Sequence, residues 1–577
     1  MMVLKKLVSS ARSIRLRSPF LCLVSIFWAR VIHGGGEDGA ENLDLGVGVV
    51  LALLAMPGTL ASLSLFDKYG SLLQYLRGEE ALDGYVAAVP DEYFFIVLSM
   101  TITGLAAVWW WEAVFPGRRD YANLMPLPIA AGTIFLSNLV FIVLLAGLLA
   151  FDVNAISIWL YPIAVFGSQS SFVVLCRFAA GNAVAVVCAS VFSFLSVFAI
   201  AGMLLAFLPY SLFRRSSLFD RFVLGLLFLA MFVSSLHVSH LLSQLPDRHH
   251  QYLGALPSVW FVALSSTLWG RGDHYFHLLA TRAIVGTVAL LIISISCYAA
   301  SFRRTFLRIS EVGESGPLPR TRIFSFVTSA VDRVLMCPSA EQACFHFVAK
   351  TILRSEAHLR VVLGFFALGC AIAGQNLRPL YHGVRETTVS DDIKLLSIPF
   401  ILSYCVILGI RVAFEVPYDL QANWVFRIWL KPHQQARPIA RRILYLFSLS
   451  WICPACFIFC GVLWGWQIGL LNTLMVVTCS LVLIEILIVR FRKIPCTCSL
   501  PPFRSYSPLM ATACLFGLVI FGNYIPALAQ WCLQEPGRAI LFIPLALLVT
   551  GVLSFHRKHM LDMDKELIFD EVSGQGF

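Results

Sequence analysis

The chain has 577 residues, a mean hydropathy of +0.80 and 13% charged residues, against roughly 25% in soluble domains. So apolar a chain cannot clothe several soluble domains in polar surface, and its continuously apolar runs argue against a transmembrane β-barrel, whose strands alternate. The net charge of +10 reads as topology rather than as a nucleic-acid footprint, because Lys and Arg collect in the cytoplasmic loops of membrane proteins. The predicted fold class is an all-α, polytopic helical membrane protein.

The N-terminal sequence MMVLKKLVSSARSIRLRSPFLCLVSIFWARVIH joins a basic start to a short apolar run, Pro19 to Trp28, that Arg30 breaks. It has no small-residue cleavage site and reads as a basic amphipathic segment on the cytoplasmic surface. Crossing a bilayer core takes about 20 apolar residues. Runs of that length predict about twelve spans, near 47–66, 93–115, 133–151, 183–209, 222–244, 281–301, 360–376, 395–414, 443–464, 468–490, 509–530 and 538–555. The apolar stretch Phe172–Ala180 contains Arg177 and reads as a lead-in or re-entrant piece before the fourth span.

With the N-terminus inside, GRRDY, FRRSSLFDR, SFRRTFLR, FRIWLKPHQQARPIARR, RFRK and HRKH fall in the cytoplasm. The neutral or acidic RGEEALDGYVAAVPDE, FDVNAISIW, RETTVSDD and LQEPGR fall outside, so the charge bias predicts N-in and C-in. The arginine- and histidine-bearing stretch from Leu245 to Arg282 is the main exception. The expected organisation is a basic lead with an interfacial helix (1–46), a first six-helix half (47–301), a cytoplasmic linker (302–359), a second six-helix half (360–556) and a tail (557–577). Repeated bundles of this kind build many transporters.

In each half the second span runs into an unusual cytoplasmic connector. In FPGRRDYANLMPLPIAAG, Arg118 to Met125 can form a short helix with Tyr121, Leu124 and Met125 on one face. Pro126 and Pro128 stop it, and Thr133 is placed to cap the third span. The second connector opens at Pro417 and sets Leu420, Trp424 and Ile428 at four-residue intervals, before Pro432 and the returning Arg437, Arg441 and Arg442. Trp424 and Trp429 would serve equally as interface anchors.

The stretch RRDYANLMPLPIAAGTIFLSNLV (118–140) resembles the segment after the second span of ABC-2-type exporter permeases. There a short cytoplasmic helix and a Leu-Pro-Leu-Pro run lead into the third span. LPDRHHQYLGALPSVWFVALSSTLWG lies where that family folds short external helices. FEVPYDLQANWVFRIW, KTILRSEAHLR and RKIPCTCSLPP are similar to segments of large bacterial membrane proteins with the same plan. Two features depart from the family: its permeases usually have six spans, so this chain would be two halves fused, and Asn138 stands where a basic residue is commoner.

The resemblance implies an exporter permease of the bacterial cytoplasmic membrane, driven by a separate ATP-binding subunit, two copies for the two halves. The docking candidates are Arg118, Arg119, Asp120, Tyr121, Leu124, Met125, Pro126, Leu127 and Pro128 in connector 116–132, and Pro417, Leu420, Trp424 and Ile428 in connector 416–442. The chain has no phosphate loop of its own, since GCAIAGQN (369–376) lacks the lysine. ATP would therefore be hydrolysed by the partner, and no cofactor is expected in this chain.

Ionisable groups inside spans are costly and tend to face a bundle interior. Glu485, in LVLIEILIVR, would either line a translocation path or pair with a cation on a neighbouring helix; Asn182 is the other path candidate. Glu112 reads as an interface residue, and Arg411 and Glu415 are spaced to pair on one helix face. His237 and His240 have metal-ligand spacing but no local carboxylate or thiolate, and Cys496 and Cys498 form a lone CxC, so no metal site is expected. No residue is assigned a catalytic role. The rival readings are a polytopic transferase on lipid-linked substrates, using Asp247, His249, His250, Asp273 or His274, and an ion-coupled secondary transporter, which predicts broken spans with central polar residues.

Overall fold

A computed structural model describes residues 18–33, 54–63, 65, 69, 84–111, 126–166, 172–208, 210–242, 253–270, 274–305, 339–377, 393–416, 436–488, 495–496 and 507–563. Among these residues there is no strand. Lipid offers no partners to backbone N–H and C=O groups, and a helix satisfies them within one segment. Ten helices among the described residues are long and apolar enough to cross a membrane, which makes this an all-α polytopic membrane protein. Two shorter apolar helices, Leu54–Leu63 and Leu541–Phe555, lie where the first and last spans are expected. The chain divides into two compact units, Met1–Gly316 and Pro317–Phe577, with the break inside the stretch read as a linker.

Unit 1 contains α1 (Pro19–His33), α2 (Leu54–Leu63), α3 (Gly84–Trp109), α4 (Ala131–Asn154), α5 (Ser157–Phe166), α6 (Phe172–Phe207), α7 (Tyr210–Leu242), α8 (Pro257–Trp269) and α9 (His274–Thr305). At its centre α3 packs against α4, α5, α6, α7 and α8. The N-terminal helix α1 seats Leu23 and Phe27 in the core, with Phe27 and Trp28 ring centroids 6.1 and 5.6 Å from that of Phe141 on α4. Helix α8 has 13 residues, about 20 Å of rise against a hydrocarbon core of about 30 Å. It does not cross, yet its residues from Ser258 to Ser266, Trp260 apart, are buried. Pro257 opens its first turn, and Gly270 ends it at φ +92°, a left-handed conformation that glycine adopts without strain.

Unit 2 contains α10 (Ser339–Arg354), α11 (Glu356–Asn376), α12 (Ile393–Ala413), α13 (Ala436–Phe447), α14 (Cys453–Trp464), α15 (Trp466–Ile488), α16 (Ser507–Val519), α17 (Ile525–Gln534) and α18 (Pro536–Met563). Two π turns, Ser448–Ile452 and Ile520–Tyr524, join α13 to α14 and α16 to α17 into continuous helices. Each is followed by a proline, Pro454 or Pro526. A proline ring collides with the carbonyl four residues back, here Ser450 or Gly522, and a locally widened helix relieves that collision. Between α14 and α15 the chain reverses through Gly465 alone, at φ +96° and ψ 157°, a region essentially reserved for glycine. The backbones of the two helices touch at Gly461 and Gly469.

The structure refines or corrects four sequence expectations. The second span is expected from residue 93, but α3 begins at Gly84 and carries Asp91 and Glu92 inside the helix; ending a span at its first charge fails when the carboxylate is buried. The fourth span is one helix from Phe172, so of the two readings Phe172–Ala180 is the lead-in and not a re-entrant piece. Arg177 is accommodated there because its guanidinium lies against Gly270. The third span continues past residue 151 to Asn154, and after a two-residue turn α5 follows. Thr133 does not cap it: the helix starts at Ala131, Ala130 occupies the extended cap position, and no side chain caps it.

Candidate functional site

One stripe of α3 is polar. Glu92, Ser99 and Thr103 fall seven and four residues apart, so they share a face. Ser99 meets Ser190 of α6 in a short hydroxyl contact. Asn154, at the end of α4, donates to Ser99 Oγ at 2.8 Å and to Ser190 Oγ at 3.1 Å. Ser193 Oγ donates to the Met100 carbonyl at 2.6 Å, and Thr103 Oγ1 to the Ser99 carbonyl at 2.7 Å. Three helices thus contribute hydroxyl and amide groups to a buried seam in the middle of unit 1. Further along α4, Asn138 Nδ2 donates to Tyr298 of α9 at 2.7 Å.

Glu92 lies at the other end of this stripe and is fully buried, with 0% exposure. The Ser265 hydroxyl of α8 lies beside it, but neither carboxylate oxygen completes a hydrogen bond. Ser265 also presses on α6: a Cβ placed on Gly181 would lie 3.2 Å from the Ser265 carbonyl. The contacts of Ser99 with Val186 and Ser190, and of Met100 with Ser193, run α3 and α6 side by side in one direction. That register puts Glu92 at the level of Gly181 and Asn182. Asn182 is buried, and its Oδ1 makes no hydrogen bond. Asn182 thus sits at the level of the buried carboxylate.

The neighbours of Glu92 have partners of their own. Tyr69 donates to Asp91 Oδ2 at 2.6 Å; burial, and then the Asp91 charge, push the Tyr69 phenol pKa up and keep it a donor. Tyr93 accepts from Ser258 at 3.2 Å, and Tyr161 donates to the Ala88 carbonyl at 3.0 Å. Glu92 is not among the residues singled out from the sequence. Its signal was the apolar run continuing on both sides, VAAVPDEYFFIVL.

In unit 2 Glu485 is also fully buried, but it is partnered. Tyr445 donates a short hydrogen bond to Glu485 Oε1, and Arg441 Nη1 lies 3.6 Å from the same oxygen. Of the two roles open to Glu485, the structure shows the pairing with a cation from a neighbouring helix, α13. Arg411 and Glu415 pair as their spacing predicts, at 2.6 Å, and Arg411 Nε also donates to the Leu487 carbonyl at 3.1 Å. Asn472 Nδ2 donates to Cys460 Sγ at 3.2 Å.

Of the first connector, Pro126, Leu127 and Pro128 are described and exposed, with Leu127 47% accessible. The Ile129 amide closes a tight turn on the Leu127 carbonyl at 2.7 Å, two residues before α4 begins. Arg118, Arg119, Asp120, Tyr121, Leu124 and Met125 lie outside the described residues. So do Pro417, Leu420, Trp424 and Ile428 of the second connector, and Glu112, Cys498, Asp247, His249, His250 and Asp273. Among the described residues no group of three His, Cys, Asp or Glu side chains could hold a metal ion. No family model matches the chain, and neither a curated protein nor a solved structure matches it. The functional reading therefore rests on the residues themselves.

Proposed function

We propose that the chain is the membrane permease of a transporter, an exporter in a bacterial cytoplasmic membrane, energised by a separate ATP-binding subunit. The observation that carries the transport reading is the seam of Glu92, Ser99, Asn154 and Ser190 inside unit 1. Polar groups are costly in a helix bundle in lipid and accumulate where a substrate or ion is handled. The ATPase arm of the reading rests on the connector sequence and on the exposed turn Pro126–Pro128. There two prolines hold Leu127 outward at the root of α4, so a push on the turn is transmitted to that helix. A partner that binds this turn better in one nucleotide state would shift the permease between conformations.

The test is ATP hydrolysis co-purifying with the tagged chain from its own membranes. Phosphate release should elute with the wild-type chain and be lost in Leu127→Asp, while that variant remains monodisperse. Hydrolysis retained in the variant removes the docking claim, and none with the wild type removes the ATPase arm. A second reading, ion-coupled secondary transport, is favoured by Glu92, whose carboxylate oxygens complete no hydrogen bond, and by the helix break at Ala155–Ile156.

A further inference from the structure

We infer that Glu92 is a proton-binding site, held as the neutral acid while α8 covers it and able to exchange its proton when that cover opens. This deepens the ion-coupled reading and rests on it only for the purpose the proton would serve; the site itself depends on neither cargo nor ATPase.

Burying an ionised carboxylate without a cation costs several kcal/mol even after the protein relaxes. Protonation removes that charge: the carboxylate oxygen takes up one H⁺ and becomes an O–H donor, which Ser265 Oγ beside it can accept. Among the described side chains, the groups packed around α3 offer no countercharge that would hold the anion. On α3 itself, Asp91 is engaged by Tyr69 and Tyr93 accepts from Ser258. From α5, Tyr161 is committed to the Ala88 carbonyl. From α4 comes Asp152, an acid with one buried oxygen lacking a hydrogen bond. From α6 come Cys188 and Arg177, whose guanidinium lies against Gly270, five residues and about 7.5 Å of helix rise beyond Ser265. Helix α8 has no titratable residue. The α7 side chains of His237 and His240 lie outside the described ones, and Asp220 and Arg221 sit near the opposite end of that helix.

Glu485 supplies the internal contrast. It is equally buried, but it carries a hydrogen bond from Tyr445 and has Arg441 within 3.6 Å. The same residue type thus sits in two buried settings with different neighbours, and the two carboxyl groups should differ in their reactivity.

The test uses the full chain in native membrane vesicles and a lipid-soluble carbodiimide. The O–H proton of a carboxylic acid passes to a carbodiimide nitrogen while the carboxylate adds to the central carbon, and acyl migration gives a stable N-acylurea without oxidation or reduction. Peptide mapping by mass spectrometry should find the adduct on Glu92, declining as pH rises, with Glu485 unlabelled. Glu92→Gln, close in shape to the neutral acid, should lose the adduct and keep the wild-type thermal midpoint. Absence of the Glu92 adduct across mildly acidic to mildly alkaline pH would overturn the inference. So would protection by sodium at fixed pH, which would make the site one for a metal cation. A large fall in the thermal midpoint of Glu92→Gln would do the same, because it would mean that the charged form supports the fold. Labelling requires no ATPase, so its failure is distinguishable from failure of the docking claim.

Discussion

Gly469→Ala adds one methyl group where α14 and α15 touch backbone to backbone. Built on the native backbone, the new Cβ lies 2.8 Å from the Gly461 nitrogen and 2.9 Å from its Cα. Ordinary contacts of this kind are about 3.5–4.0 Å, so the helices must part by about 1 Å. Neither clashing atom belongs to a side chain that could rotate away, and overpacking of this sort costs about 1–3 kcal/mol. Gly551→Ala in α18 is the same chemical change with nothing within 4 Å of the added atom. There the gain in helix propensity should prevail, by about 0.5–1 kcal/mol. For a unit of this size 1 kcal/mol moves a thermal midpoint by about 2–4 °C. Tryptophan fluorescence of the purified protein in detergent should show Gly469→Ala melting several degrees lower than wild type and Gly551→Ala level or higher. If Gly469→Ala melts as high as Gly551→Ala, the hairpin is not packed backbone to backbone and the argument fails.

Gly465→Ala separates strain from collision at the same hairpin: no atom lies within 4 Å of its Cβ, so the expected loss of about 1–3 kcal/mol comes from φ and ψ alone, and an unchanged midpoint would refute it. In unit 2, Arg441→Gln should destabilise more than Glu485→Gln, because the first leaves a buried anion whereas the second leaves a guanidinium that is 27% exposed and reachable by water. A double-mutant cycle of chemical denaturation midpoints should show the pair costing less than the sum of the singles; equal costs and strict additivity would deny the pairing. Asn154→Ala removes the donor shared by Ser99 and Ser190 and should cost about 1–3 kcal/mol, read as a lower melting point, and a neutral result would mean that the seam is not stabilised there.

Much of this architecture was legible in the residues because a bilayer imposes a one-dimensional rule. A span must be apolar for about 20 residues, so apolar length alone gave the fold class and predicted about twelve spans, where ten helices among the described residues are long and apolar enough to cross. The Arg411–Glu415 pair was legible for a similar reason, since it depends only on the four-residue helix spacing. Glu485 was visible as a lone acid in an apolar run, but its partners lie 40 and 44 residues away in sequence, at Tyr445 and Arg441. Nothing local selects them.

Glu92 marks the boundary between the two kinds of information. Read along the chain, PDE stands just before the longer apolar run from Tyr93, and a charge at the edge of a span is ordinary. Its burial depends on α8, a helix too short to cross, folding back so that Ser265 covers the carboxylate and packs on Gly181 of α6. Sequence by itself determined what each segment must be in lipid, because hydropathy and helix period are properties of neighbouring residues. Only the tertiary structure decided which buried acid has a cation beside it and which, among the described residues, has none, because the energy of a buried charge is set by the groups that other helices bring to it.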